Sequence, residues 1–127
     1  DAVNIKTAFI INIGIEFEIV VLPNYNSNEV VLRCIDYFKT RFDTDKMQIN
    51  EPILISNLFS ELDTIEGVQS VNEIEFVNKY DSNEGYSGHV YDIEAATKNK
   101  IIYPSLDPSI FEIKYPNKDI KGRTVTI

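Results

Sequence analysis

Residues 58–76 read LFSELDTIEGVQSVNEIEF, and the change of period inside them decides the fold. Leu58, Phe59, Leu62 and Ile65 recur at helical spacing. Val71, Ile74 and Phe76 follow, with Glu73 and Glu75 interleaved. A helix buries every third or fourth residue, and a half-exposed strand every second one. The stretch predicts a helix capped by Ser56, a stop at a left-handed Gly67, and a strand from Val68 to about Lys79, irregular near Asn72.

Upstream, IKTAFIINIGIEFEIVVLP is rich in β-branched and aromatic residues. It reads as strand from about Ile5 to Ile13 and from Ile15 to Leu22. No two-residue turn is present, so Gly14 marks a bulge or bend in one long strand rather than a hairpin. Ile15, Phe17 and Ile19 alternate with Glu16 and Glu18, and Pro23 ends the ladder by lacking a donor. A helix from Ser27 to Phe42 follows, capped by Asn26 or Ser27. Its apolar stripe is Val31, Ile35, Phe38 and Phe42, widened by Val30 and Cys34. MQINEPILI, broken by Pro52, reads as an edge strand.

Beyond Lys79 the character changes. YDSNEGYSGHVYD reads as an exposed loop, and KIIYPS, IFEIKYP and RTVTI as three short strands between proline-bearing turns. We therefore expect an α+β fold: two helices packed on a small, mostly antiparallel sheet, in a ferredoxin-like arrangement. Residues 1–80 are expected to form the core, and residues 81–127 a loop and β-rich extension packed on it or reaching away, all within one structural domain.

The chain has 127 residues, 43% hydrophobic and 25% charged, enough for one core. It begins with Asp1, which leads us to expect a piece of a longer protein. No apolar run approaches the roughly 20 residues a membrane helix needs. The net charge of −8 disfavours nucleic acid, whose phosphates would repel it. From Pro104 onward four basic residues face three acidic ones, so the tail carries +1 and the rest −9. A mildly basic tail on an acidic body suits head-to-tail or heterologous contacts, although a solvated surface accounts for it more simply. One cysteine cannot form an internal disulfide, which favours a reducing compartment, and Cys34 on the apolar stripe reads as a small hydrophobe.

Catalytic furniture is sparse. His89 sits in a Gly/Ser loop, with Asp92 the only nearby partner, and reads as a surface histidine. Glu16/Glu18 and Glu73/Glu75 can share a cation or act as an acid–base pair, although solvent-facing alternation accounts for them without further assumption. The DTDK stretch at Asp43–Lys46 lacks the glycine and distal glutamate of a calcium loop. We expect no catalytic residue, metal, cofactor or small-molecule ligand. Loop tyrosines suit protein interfaces, and equally suit packing on their own domain. With the basic tail they single out Tyr86, Tyr91, Tyr103, Tyr115, Lys118, Lys121 and Arg123 as candidate interface residues.

The run VVLPNYNSNEVVLRCIDYF, followed by MQINEPILISNLFSELDTIEGVQSVNEIEFVN, resembles the C-terminal region of baseplate-J-like wedge proteins of contractile phage tails. The family's Ser-Asp-Leu helix start appears as Ser56-Asn57-Leu58, with Asn57 departing from the usual Asp, and its helix-ending Gly-Val as Gly67-Val68. The closing ATKNKIIYPSLDPSIFEIKYPNKDIKGR is similar to the large baseplate wedge subunit of T-even-type phages. The resemblance runs from about residue 15 onward. It implies a non-enzymatic virion protein of the tail baseplate, assembled in the host cytoplasm. Its partners would be copies of itself, as a homodimer or in a ring around the tail tube, and other wedge subunits. We expect self-association through an isologous patch. The competing class is a small-molecule-binding regulatory domain with a ferredoxin-like sheet. That reading wants a glycine-lined corner after the strand, and Pro23-Asn24 offers none.

Overall fold

The computed structural model describes residues 8–126. The whole is organised around one strand, β1 (Phe9–Val21), which runs unbroken through Gly14. The part of the expected first strand before Ala8 lies outside the described residues. Gly14 makes no bend; a side chain there would crowd the Asp119 carbonyl and Val77. The bulges fall later, between Glu18 and Ile19 and between Val20 and Val21, where the partner strand carries extra residues near Asn72 and Gln69.

The chain then forms α1 (Ser27–Arg41), with Asn26 as its cap: Asn26 Oδ1 accepts from the Glu29 amide at 3.0 Å. After a loop come β2 (Ile53–Leu54), α2 (Ile55–Leu62) and β3 (Val68–Asn78). The second helix starts one residue before the expected Ser56 cap, and Ser56 lies inside it. The chain passes straight from strand to helix, and the Ile55 amide donates to the Lys100 carbonyl at 2.9 Å instead of to a side-chain cap. The helix closes at Leu62, and two turns then deliver Gly67 at φ +96° into β3.

The remainder is built from short pieces: a single 3-10 turn at Ser82–Glu84, α3 (Ile93–Ala96), β4 (Thr97–Lys98), β5 (Ile101–Ile102), β6 (Ser109–Glu112), α4 (Pro116–Asp119) and β7 (Ile120–Thr124). Two sheets result. In the larger, β3 pairs antiparallel with one side of β1, while β6 and then β7 pair in parallel along the other. The smaller has the order β2-β5-β4, all antiparallel, with β2 at an edge. The fold is α+β. The segment after Lys79 supplies two strands of the main sheet, so it completes the core instead of reaching away.

Alternation along β1 puts Ile11, Ile13, Ile15, Phe17 and Ile19 on one face, all nearly inaccessible. They pack under Val30, Cys34 and Phe38 of α1 and Leu58 and Leu62 of α2, so both helices cover the same face. Phe17 turns its ring over Gly122 of β7 and lies 5.3 Å from the Phe38 ring. A helix–sheet core of this size stabilises the chain mainly by removing apolar surface from water. Among the described residues no helix is long and apolar enough to cross a membrane.

Candidate interaction face

The other face of the main sheet carries the charge. Register places Glu75, Glu16 and Lys121 in one row across β3, β1 and β7, and Glu73, Glu18 and Arg123 in the next. The acidic pairs singled out from sequence are thus brought together, beside two of the basic tail residues. Glu18 is the least exposed of them. It accepts from Asn72 Nδ2 at 2.8 Å and from the Arg123 guanidinium, whose side chain is itself largely exposed. The depression these six residues line is open to solvent.

The tyrosines are distributed differently. Tyr86 is only 6% exposed; its hydroxyl donates to Asp119 Oδ2 at 2.7 Å, and burial, reinforced by that carboxylate, pushes the phenol well above its ordinary pKa. Tyr115 meets the Tyr86 ring edge-on at 5.4 Å and donates to the Glu84 carbonyl at 3.0 Å. Lys118 lies over both rings and 3.4 Å from Glu84. Tyr91 is half-buried, packs on Phe111 and donates to the Tyr103 carbonyl; burial raises its pKa. Tyr103 itself is exposed. The seven candidate interface residues therefore form three groups: Tyr86, Tyr115 and Lys118 together, Tyr91 beside Tyr103, and Lys121 and Arg123 on the sheet face.

His89 packs against Phe9 with the two rings tilted, their centroids 4.5 Å apart. Asp92 is occupied as the cap of α3, its Oδ1 accepting from the Ala95 amide at 3.0 Å. Asp43 is likewise used locally, accepting from the Asp45 amide. Among the described residues no group of three or more His, Cys, Asp or Glu side chains is arranged to hold a metal ion. Cys34 is fully buried, which pushes its thiol up to about 11.

Sequence reasoning missed the polar fasteners. Asn12, buried near the start of β1, donates to Glu112 Oε1 at 2.7 Å and accepts from the Ser87 amide at 2.8 Å. Asn78 donates to the Asn12 carbonyl and accepts from the Tyr91 amide. These bonds pin the 80–92 loop to the sheet. The available signal was an asparagine interrupting the apolar run FIINI. Asp119, buried beneath Tyr86 with Lys79 3.8 Å away, gave none, since an aspartate in PNKD reads as a turn residue.

Compared with known proteins, the chain matches no family model and no curated sequence.

Proposed function

We propose that this chain is a non-catalytic assembly module that holds neighbouring subunits at fixed geometry, in the setting its sequence resembles, the baseplate wedge of a contractile phage tail. The observation that carries the reading is how the last third of the chain closes the fold. Both β6 and β7 add to β1, and buried polar bonds from Asn12 and Asp119 fasten the intervening loops. The product is a closed fold that carries two charged rows on one face of its main sheet. A fold of this kind suits the transmission of position between partners. The virion setting and the wedge partners rest on the resemblance alone.

Co-expression with the wedge proteins of a contractile tail tests the proposal. Stoichiometric co-purification that survives gel filtration is the expected result. No complex, together with a thermal shift on adding a small metabolite, overturns it in favour of the regulatory class.

A further inference from the structure

We propose that copies of this chain join edge to edge, β7 of one pairing antiparallel with β3 of the next, Lys121 facing Glu75 and Arg123 facing Glu73. This rests on the assembly reading above and gives it a surface and a partner.

The main sheet is bordered by β3 along one side of β1 and by β6 and then β7 along the other. Among the described residues β3 pairs only with β1, and so does β7. An outer strand presents a line of backbone donors and acceptors to any strand that fits it. On the charged face the two edges are complementary. Glu73 and Glu75 lie on the β3 edge, each with another glutamate, Glu18 or Glu16, as its cross-strand neighbour. Neither makes an ion pair among the described residues, and neither does Lys121 on the β7 edge. Each row is therefore incomplete on its acidic side and ends in a cation on the other.

Register makes the match specific. Setting Lys121 against Glu75 in an antiparallel pair necessarily sets Gly122 against Ile74, Arg123 against Glu73 and Ile120 against Phe76. One register makes both ion pairs and aligns apolar residues on the helix side. Strand direction agrees as well. β3 runs antiparallel to β1 and β7 parallel to it, so copies set side by side in one orientation bring β7 against an antiparallel β3. Both sets of helices stay on the same face. The flank of α1 beside β7 also offers apolar surface. Leu32, 58% exposed, shares that side of the helix with Lys39, whose Nζ donates to Asn117 Oδ1 just before β7.

The alternative, β3 against β3 about a two-fold axis, brings the glutamates of both copies to one seam with no basic residue on either strand and is disfavoured. The interface is then heterologous: every copy uses one edge of each kind, and the array grows instead of stopping at a dimer.

Sedimentation velocity of the whole chain over rising concentration reads the outcome, with Glu75→Lys, Lys121→Glu and the double variant compared. Both positions are exposed, and thermal melts confirm that each variant is folded. The wild type should associate beyond a dimer and weaken in high salt. Each single reversal should raise the dissociation constant about tenfold, and the double variant, which restores opposite charges, should return to within about threefold of wild type. Association unchanged in both single variants overturns the edge pairing while leaving the assembly reading standing. A wild type that stays monomeric overturns the pairing. The assembly reading falls with it only if co-purification with wedge proteins also fails.

Discussion

Tyr86 and Asp119, 33 residues apart, meet in a buried hydrogen bond of 2.7 Å that ties the 80–92 loop to α4. The other carboxylate oxygen, Asp119 Oδ1, has no hydrogen-bond partner among the described residues, with only the Lys79 ammonium 3.8 Å away. Tyr86→Phe removes the donor and leaves a buried carboxylate poorly satisfied. The expected cost is about 1–3 kcal/mol in urea denaturation. The Tyr86→Phe/Asp119→Asn double variant should cost less than the two single losses added, because the two groups share one interaction. Strict additivity would mean that the bond contributes nothing.

Gly122 is needed for space. A β-carbon there would overlap the Phe17 ring, which lies across the glycine and reaches toward Phe38. Gly122→Ala should destabilise by about 1–3 kcal/mol through overpacking. Adding Phe17→Leu relieves the overlap and should recover part of that loss. If the rescue variant is simply the sum of its two parts, the contact is not what constrains the glycine.

The same region shows which parts of the structure were legible in the chain. The helix–strand corner at Gly67 and the Asn26 cap were readable because their signals lie within a few residues. The charged rows were half readable: Glu16 and Glu18, and likewise Lys121 and Arg123, are spaced by two, as strand residues sharing a face must be. Nothing local says that β7 will lie parallel to β1, a hundred residues away. Helices α3 and α4, at four residues each, are too short to show a period. The second helix started early because its first amide found the Lys100 carbonyl, a partner that only the fold supplies.

Gly67 is constrained by conformation as well as by contact. At φ +96° an L side chain is strained, and its Cβ would meet Val30 Cγ2 at 2.5 Å. Gly67→Ala should cost about 1–3 kcal/mol, more than a glycine-to-alanine change in ordinary backbone, which tends to stabilise. Thermal denaturation beside Gly88→Ala, where φ is also positive but the space is open, separates the two causes. Gly67→Ala should be the worse of the pair. Equal losses would assign the whole effect to backbone strain.

Cys34 gives a prediction with a defined pH window. Burial raises its thiol from 9.0 to about 11. Between those values the unfolded chain sheds its proton while the native one keeps it, so the unfolded state is favoured progressively as pH rises. The contribution is intact below about 9 and is lost on the way to 11, at no more than about 1.4 kcal/mol per pH unit. Cys34→Ala should flatten the wild-type decline in that window, and the decline that remains comes from the phenols that burial raises, Tyr37, Tyr86 and Tyr91. At pH 8 a thiol reagent should modify the native protein at least about a hundredfold more slowly than the urea-unfolded chain, since reaction waits on opening of the helix–sheet core. Native reactivity within a few fold of the unfolded rate would show that α1 does not seal Cys34 against the sheet.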